Sequence, residues 1–451
     1  MSNSRHIVII GNGISGVTLA RHLRKADSNV RITLISGESK YFFSRTALMY
    51  IYMGHMKFEH TQPYENWFWE KNRIDLKEGW VKSIDYSSKE LLFSDGEDLK
   101  YDLLVLAVGS KPNKFGWPGQ DLKGVQGLYS KQDLELMEEN TQGNVERAVI
   151  VGGGLIGIEM AEMLAYRKIP VTFLVREEGF WTNVLPKEES ELVGRHIREH
   201  HIDLRLSTEL DEILSDQNGR VRAIRTNTGE EIQCQFVGLT AGVKPNVDFL
   251  KGSDLEVNRG IRVNEFFETN IPEVYAIGDC AEFEQAPAVD RKNIEQVWYT
   301  GRMHGETLAQ TLSGERTPYR PGHWFNSAKF LDIEYQTYGT VPAVWNQKEV
   351  DSFYWEHKNG KICFRMLMDK KGLLLGVNNF GFRLRHEFFD RALSEKWPGA
   401  KVIKNLKRAN FDPEFFAPYH QLIQDQFLNE YGGDFTVSKS SWTQKLFGAK
   451  L

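Results

Sequence analysis

Two glycine-rich segments of one kind, 141 residues apart, constrain this chain more than any other feature. The first fingerprint, Gly11 to Gly16, follows an apolar run and precedes a helix-like segment, and the second fingerprint, Gly152 to Gly157, has the same surroundings. In a strand–turn–helix unit the first glycine permits a tight turn, the second lets the backbone approach a pyrophosphate, and the third lets helix and strand pack closely. One such motif is weak evidence, but two in this context indicate two dinucleotides bound by one chain.

The order of apolar runs and turns predicts an α/β fold with two Rossmann-like dinucleotide-binding domains and an α+β C-terminal domain. The predicted divisions are 1–115 with 245–318 for the first nucleotide domain, 116–244 for the second, and 319–451 for the C-terminal domain. Within the last domain the patterns predict a strand over 325–338, a meander over 361–377 and a helix over 383–396.

Composition places few limits on the function of this chain. Apolar residues make up 41% and charged residues 26% of its 451 residues, and no apolar run of about 18 residues predicts a membrane-spanning helix. The first strand begins so early that we expect no signal peptide. Its three cysteines, Cys234, Cys280 and Cys363, are too few and too far apart for a disulfide framework or a C-x-x-C pair. These features predict a cytoplasmic location.

The charge is uneven along the chain. The formal net charge is −5, yet residues 357–408 hold thirteen Lys or Arg and four Asp or Glu, a local +9. This basic segment, which includes Lys370, Lys371, Arg383 and Arg385, suits either a small acidic protein partner or an ordinary solvated face. We expect no nucleic-acid partner, and the pattern leaves the oligomeric state open.

Three further blocks complete an ordered set with the fingerprints: Ala107–Pro112 lies between the two fingerprints, and Ala241–Asn246 and Tyr275–Ala281 follow the second. Together the five blocks, spread over residues 5–340, resemble the FAD/NAD(P)-dependent pyridine nucleotide oxidoreductases. The resemblance is closest to ferredoxin and rubredoxin reductases, the flavin module of assimilatory nitrite reductase, and apoptosis-inducing-factor-like proteins. It implies FAD at the first fingerprint and NADPH or NADH at the second.

The resemblance also implies which residues contact FAD. Asp279 is expected to hydrogen-bond the ribityl and pyrophosphate portion, and Arg45 is expected to lie by the phosphates. Glu38, just past the second strand, suits the ribose hydroxyls, although an exposed loop glutamate is nearly as good an interpretation. The full predicted set is Gly11, Gly13, Ile14, Ser15, Gly16, Glu38, Arg45, Val81, Ala107, Gly109, Gly278 and Asp279.

The nicotinamide site is predicted around the second fingerprint. NADH enzymes usually place an acid at the end of the following strand, but here Val175 holds that position and Arg176 follows. Arginine there favours the 2′-phosphate of NADPH, although Glu177 and Glu178 would repel it, and NADH stays open. The predicted residues are Gly152, Gly154, Leu155, Ile156, Gly157, Arg176 and Gly242.

Two residues are predicted to act beside the reacting rings. The resemblance places Trp298 by the flavin, seven residues before Gly305, with a buried core tryptophan as the alternative. It places Glu159 near the nicotinamide, although the lysine that relatives pair with this glutamate is missing near Tyr50, so an ordinary helix glutamate is an equal interpretation.

Cysteine and metal chemistry are not expected. The segment Tyr41–Tyr50, where disulfide reductases carry a C-x(4)-C pair, contains no cysteine, and Cys280 is interpreted as a small buried residue. His196 and His200 have the i, i+4 spacing of zinc ligands, but without a third ligand nearby we predict no metal site.

The leading hypothesis is an NAD(P)H oxidoreductase that passes electrons through FAD to an external carrier such as ferredoxin or rubredoxin. A membrane-surface quinone reductase is a less favoured alternative, in which Tyr419, Leu422, Ile423 and Phe427 form one apolar helix face and Trp442, Leu446 and Phe447 another. A third hypothesis is a redox-gated interaction protein resembling apoptosis-inducing factor.

Overall fold

A computed structural model describes residues 5–288, 291–411, 414 and 417–432 of the chain. It divides into two compact units. The first comprises the residues up to Asn326 together with Phe330–Asp332, and the second comprises Ser327–Lys329 and the residues from Ile333 onward. The predicted division into three domains stays a prediction, because both nucleotide-binding sheets lie in the first unit.

The first unit contains two five-stranded parallel sheets, one for each fingerprint. Their central strands are continuous runs of buried apolar residues, as expected where helices cover both faces of a parallel sheet. The order across the first sheet is Val274–Ala276, Leu103–Leu106, His6–Ile10, Arg31–Ser36 and Ile74–Glu78. The order across the second is Asp203–Arg205, Val171–Leu174, Ala148–Val151, Phe236–Leu239 and Val125–Gln126.

Helices and smaller sheets complete the first unit. Its α-helices are Ile14–Ala26, Leu48–Tyr52, Trp67–Lys71, Lys131–Asn140, Leu155–Tyr166, Lys187–Glu199 and Trp298–Leu312. Short 3-10 helices span Arg45–Ala47, Phe58–Thr61, Asp248–Leu250 and Gly278–Cys280. Two antiparallel meanders consist of Val81–Asp85, Glu90–Phe93 and Asp98–Lys100, and of Leu210–Ser215, Val221–Thr226 and Glu231–Gln233. Two-stranded pairs join Ser110–Pro112 to Val243–Pro245 and Ile261–Val263 to Ala281–Phe283.

The second unit is built on a five-stranded sheet. The strand order is Phe325–Phe330, of which only Ser327–Lys329 belong to this unit, then Ile333–Gly339, Leu374–Phe380, Cys363–Asp369 and Val350–Glu356, and the last three pairings are antiparallel. The helices are His386–Ser394, Gly399–Lys404, the 3-10 turn Leu406–Ala409, and His420–Tyr431. Two parallel nucleotide sheets followed by this antiparallel sheet with helices confirm the predicted fold class.

Two local expectations differ from the structure. The strand predicted over 325–338 is interrupted, because Leu331 takes a left-handed conformation (φ +58°) and starts a second strand at Ile333. On the last helix Ile423 and Phe427 are buried, but Leu422 is 48% exposed, so they do not form one surface face. Trp442, Leu446 and Phe447 lie outside the described residues.

Candidate active site

The first fingerprint has the backbone geometry of a phosphate-binding turn. Gly11 has φ +115°, and a Cβ atom there would lie 2.1 Å from the Ala107 carbonyl oxygen, so no larger residue fits. A Cβ on Gly16 would lie 2.0 Å from the Gly11 carbonyl oxygen, so glycine is needed here for the helix to pack this closely against the turn. A Cβ on Gly13 would meet no atom of the described residues within 4 Å. The open side of Gly13 is therefore turned toward space that a ligand can fill.

The second fingerprint repeats this geometry. Gly152 has φ +116°, and its Cβ would lie 2.8 Å from the Thr240 carbonyl, while a Cβ on Gly157 would lie 2.3 Å from the Gly152 oxygen. Gly154, like Gly13, faces open space and immediately precedes its helix. Both helix N-termini therefore direct free backbone N–H groups toward space that can hold an anion.

A cavity of about 800 Å³ in the first unit collects most of the predicted site residues. Its volume lies in the range of small-molecule and cofactor sites. The predicted residues that line it are Gly11, Gly13, Ile14, Ser15, Glu38, Arg45, Val81, Ala107, Gly109, Leu155, Ile156, Glu159, Gly278, Asp279 and Trp298. Six predicted residues lie outside its lining: Gly16, Gly152, Gly154, Gly157, Arg176 and Gly242.

A hydrogen-bond network holds Asp279 at the wall of this cavity. The Ser110 and Tyr129 hydroxyls each donate to Asp279 Oδ2 at 3.1 Å, the Ser110 backbone N–H donates to the Tyr129 oxygen at 3.0 Å, and Gln296 Nε2 donates to Ser110 Oγ at 2.7 Å. Burial raises the pKa of Asp279, and the two hydroxyl donors oppose that shift. Among the described residues no donor contacts Oδ1. That oxygen is therefore available to accept a ligand hydroxyl.

A histidine also holds the short 3-10 helix that carries Asp279, through a hydrogen bond to its backbone. The Gly278 backbone N–H donates to His304 Nδ1 at 3.0 Å, so this ring nitrogen is unprotonated. Burial, assisted by the charge of Arg291, lowers the pKa of His304 to about 3. A neutral His304 therefore keeps accepting this hydrogen bond at physiological pH.

Glu38 and Arg45 contact each other as well as the cavity. The Arg45 guanidinium donates to both carboxylate oxygens of Glu38 at 2.7 and 2.6 Å and to the Tyr129 carbonyl oxygen at 2.6 Å. The Lys131 backbone N–H also donates to Glu38, at 2.8 Å. The sequence did not indicate that Glu38 and Arg45 pair with each other. Their assignment to the ribose and phosphates stays a prediction.

Glu159 and Trp298 reach the same cavity from two helices. Glu159 lies one turn into the helix Leu155–Tyr166, and Trp298 is the first residue of the helix Trp298–Leu312. Trp298 is 36% exposed and packs edge-to-face against Tyr299, with ring centroids 5.4 Å apart. It is not a buried core tryptophan. The cavity wall thus combines a carboxylate from the second-fingerprint side with an indole from the first-sheet side.

Arg176 stands apart from the cavity. Its side chain is 69% exposed, and its guanidinium lies 3.0 Å from a Glu177 carboxylate oxygen. Val175, at the end of the preceding strand, is buried. Arg176 therefore remains available to a phosphate only in competition with its neighbour.

The three cysteines are buried and reduced, and none of them lines the cavity. Burial raises the pKa of Cys234 and of Cys280 to about 12. The Cys280 thiol contacts the carbonyl oxygens of Leu106 and Ile277 at 3.4 and 3.3 Å. The interpretation of Cys280 as a packed residue agrees with these contacts.

Several residues were not found from the sequence. Tyr129, Ser110 and Gln296 support Asp279 from positions 17 to 169 residues away, and no local motif marks them. Asp332 lies beside His196 and His200, so the fold brings to them a third side chain of a type that can ligate a metal. No local pattern in the sequence marks Asp332 as a neighbour of the two histidines. Its position beside them becomes apparent only in the folded chain.

The family model for pyridine nucleotide-disulphide oxidoreductases matches residues 5–305. The chain belongs to this family. It is 30% identical over 320 residues to the rubredoxin-NAD(+) reductase of Acinetobacter baylyi, covering 69% of this chain and 79% of that protein. Family membership and the two nucleotide-binding turns identify an NAD(P)H-dependent FAD flavoprotein oxidoreductase.

Solved structures share this fold. A ferredoxin reductase from Rhodopseudomonas palustris superposes with a TM-score of 0.76 at 21% identity, over 94% of this chain and 100% of that one. An NAD-dependent persulfide reductase from A. fulgidus gives 0.80 at 23% identity, over 95% and 84%. In the part of the chain that the structure describes, no helix combines the length and apolar character needed to cross a membrane.

Proposed function

We propose that this flavoprotein passes electrons from NAD(P)H to a separate carrier protein, such as a ferredoxin or a rubredoxin, without using a protein disulfide. The observation that carries the proposal is the cavity lining, which among the described residues contains the first fingerprint turn, Leu155 and Ile156 of the second fingerprint, Glu159 and Trp298 but no cysteine. A family member that lacks a thiol beside its cofactor needs another acceptor for its electrons. Similarity to a rubredoxin reductase supports a carrier protein as that acceptor.

The residues present fit FAD at the first fingerprint. Gly13 leaves room for a pyrophosphate, and Asp279 offers an acceptor oxygen. When bound there, FAD accepts a hydride from NAD(P)H and can release electrons one at a time. The chain's own part is to hold the ligand, with Asp279 accepting from its hydroxyl groups while Tyr129 and Ser110 keep the carboxylate oriented.

Glu159 and Trp298 are the residues that we propose contact the reacting rings. Leu155 and Ile156, which lie within the second fingerprint and begin its helix, line the same cavity as the first fingerprint. A nicotinamide nucleotide bound at Gly154 can therefore extend along this helix toward Glu159. Trp298 supplies an aromatic surface that excludes water from the ring stack.

The quinone-reductase alternative depends on an apolar face at the surface of the last helix, but two residues of that face are buried. Ile423 and Phe427 are buried within the second unit, where the Phe427 ring packs at 5.2 Å from Phe353. A buried face cannot insert into a lipid surface.

Slow turnover with every carrier tested would favour the third hypothesis, a redox-gated interaction protein, over a carrier-protein reductase. A cytoplasmic location stays a prediction.

Anaerobic reduction followed by reoxidation tests the proposal. NADH or NADPH should bleach the FAD absorbance, and adding oxidised ferredoxin or rubredoxin should restore it within turnover times of about a second or less. Faster reoxidation by oxygen or a low-molecular-weight disulfide than by any carrier would contradict it.

Replacing Cys234, Cys280 and Cys363 together by alanine should leave flavin reduction and carrier reduction within a few-fold of wild type. None of these thiols lines the cavity, and a buried thiol is a poor nucleophile. The three single variants, compared by thermal unfolding, separate packing losses from redox losses. A collapse of turnover in a variant that keeps its FAD would reveal a redox cysteine.

Replacing Arg176 by alanine should raise the Michaelis constant for NADPH by about tenfold and leave that for NADH unchanged. A charge-assisted hydrogen bond to phosphate contributes about 1.5–3 kcal/mol, and the exposure of Arg176 places it at the low end. The matched variant Glu177→Gln should lower the constant for NADPH, because it removes the competing carboxylate. Equal effects on both nucleotides would overturn the preference for NADPH.

A further inference from the structure

Two histidines and an aspartate form a cluster outside the cavity. His196 is in the last turn of the helix Lys187–Glu199, His200 caps its C-terminus, and Asp332 lies in the turn after the strand Phe325–Phe330. One ligand atom from each residue lies within 4.8 Å of the others. His196 Nε2 contacts Asp332 Oδ1, and His200 Nε2 lies 3.3 Å from the same oxygen. All three residues belong to the first unit, and none lines the cavity.

The hydrogen bond of His200 determines which of its ring nitrogens is free. Nδ1 lies 3.0 Å from the His196 carbonyl oxygen, and because a carbonyl only accepts, Nδ1 carries the proton. Nε2 is therefore the ring nitrogen that faces the Asp332 carboxylate, 3.3 Å from Oδ1. A metal ion held between these two atoms would receive one bond from each.

The surroundings of His200 match those of a metal-ligating histidine. Such a histidine almost always donates its other ring N–H to a carbonyl or carboxylate, which fixes the ring. His200 donates to the His196 carbonyl oxygen, whereas the Glu199 carboxylate oxygen nearest His196 Nδ1 lies 3.6 Å away, beyond hydrogen-bond distance. The cluster also lies at a helix C-terminus, whose carbonyl dipoles favour positive charge.

The geometry admits an ion once the exposed Asp332 carboxylate turns away from His196, whose Nε2 contacts Oδ1 more closely than two ligands of one ion can approach. Two ligands of a tetrahedral Zn²⁺ at about 2.0–2.1 Å lie roughly 3.3 Å apart, which is the separation of His200 Nε2 and Asp332 Oδ1. The Asp332 side chain is 66% exposed and the His200 side chain 36%, so the carboxylate can move and water can complete the coordination. His196 is buried, which keeps one ligand fixed.

The turn that carries Asp332 is held in place by packing. The Phe330 ring contacts Phe180 and Trp181, with centroids 5.9 and 5.8 Å apart, all within the first unit. Leu331 then takes its left-handed conformation, and Asp332 follows beside the helix end. A pre-positioned ligand loses less entropy on binding a metal.

We propose that His196, His200 and Asp332 bind one divalent transition-metal ion of the Zn²⁺ class. Two imidazoles and one carboxylate suit Zn²⁺, Ni²⁺ or Cu²⁺ and do not suit Mg²⁺ or Ca²⁺, which prefer oxygen ligands alone. The ion links the turn at Asp332 to the end of the helix Lys187–Glu199. It is a structural site that does not depend on the proposed electron acceptor.

Metal titration of the tag-free, FAD-loaded full chain tests the site. After chelator treatment and dialysis, calorimetry should show one Zn²⁺ per chain, no Mg²⁺ binding, and a thermal unfolding midpoint that rises with Zn²⁺. The variants Asp332→Asn and His200→Gln should each weaken Zn²⁺ binding at least about tenfold. His201→Asn is the matched control, because His201 is exposed, adjacent and outside the cluster, and asparagine tolerates its left-handed backbone (φ +59°).

Cu²⁺ as a spectroscopic probe identifies the ligands independently of affinity. The electron paramagnetic resonance spectrum should show hyperfine coupling to two nitrogens in wild type and in His201→Asn, and to one in His200→Gln. FAD absorbance confirms that each variant has folded. Absence of Zn²⁺ binding in wild type, a loss smaller than about tenfold in either variant, or unchanged coupling in His200→Gln would overturn the proposal, and paired imidazolium and carboxylate would then account for the cluster.

Discussion

Replacing Gly13 by valine should abolish FAD binding and leave the chain folded, so that the purified variant is colourless. In the part of the chain that the structure describes, no atom lies within 4 Å of a Cβ at this position, so the valine occupies the space where a pyrophosphate approaches the backbone. The backbone at Gly13 is extended (φ −73°, ψ −175°), a conformation that valine adopts readily. Loss of a good cap residue costs only about 1 kcal/mol, a small part of the stability of a folded chain.

The second fingerprint provides the matched control. Gly154 has the same open surroundings and an extended backbone (φ −113°, ψ −174°) and also precedes its helix directly. Gly154→Val should therefore keep one FAD per chain but raise the Michaelis constant for NAD(P)H by more than about tenfold. FAD content is measured after heat release, and circular dichroism checks the fold. A yellow Gly13→Val protein, or loss of FAD from Gly154→Val, would show that the two nucleotides are assigned to the wrong turns.

The parts of the fold that sequence predicted are those whose signal is local. Each fingerprint combines an apolar strand, a turn that only glycine permits and a helix within about 25 residues, so neighbouring residues alone indicate the nucleotide turn. The close approaches at Gly11 and Gly16 follow directly from this spacing. The presence of two such units then predicted two Rossmann-like dinucleotide-binding domains.

The side-chain partners within the site could not be predicted in this way. Tyr129 reaches Asp279 from 150 residues away, and Asp332 reaches His196 from 136 residues away. Such contacts depend on how whole elements pack, and no periodicity in the sequence records them. Glu38 and Arg45 are only seven residues apart, yet the loop between them has no regular pattern from which their contact could be predicted.

The charge that the basic segment presents at the surface could not be predicted from the sequence either. Four of its residues were singled out by their sign alone, but Lys370 pairs with Asp351 at 2.6 Å and Arg383 pairs with both carboxylate oxygens of Glu334 at 2.5 Å. Arg385 donates to the Asn410 carbonyl oxygen at 3.1 Å. The count of +9 therefore overstates the charge that an approaching partner meets, because acids from outside the segment neutralise part of it.

Reversing the exposed charges that have no acidic neighbour should slow electron transfer to an acidic carrier by about tenfold or more at low salt. Lys404, Lys407 and Arg408, here called the basic surface, lie at the end of the helix Gly399–Lys404 and in the following 3-10 turn, and all are exposed. Among the described residues no carboxylate lies within 4 Å of them. Neither fingerprint involves them, so flavin reduction by NAD(P)H should be unchanged in the Lys404→Glu, Lys407→Glu, Arg408→Glu variant.

Salt dependence separates electrostatic steering from a loss of folding. The screening length falls from about 10 Å at 0.1 M to about 3 Å at 1 M, so the triple variant and wild type should converge at high salt. The matched control, Lys25→Glu, Lys82→Glu, Lys100→Glu, changes the net charge equally at exposed lysines outside the basic segment, on the helix Ile14–Ala26 and the strands Val81–Asp85 and Asp98–Lys100, and should have a much smaller effect. Stopped-flow reduction of ferredoxin and of rubredoxin gives the rates. Equal slowing by both variants would mean that net charge alone acts, and loss of binding to anionic vesicles by the first variant would favour a membrane surface over a carrier protein.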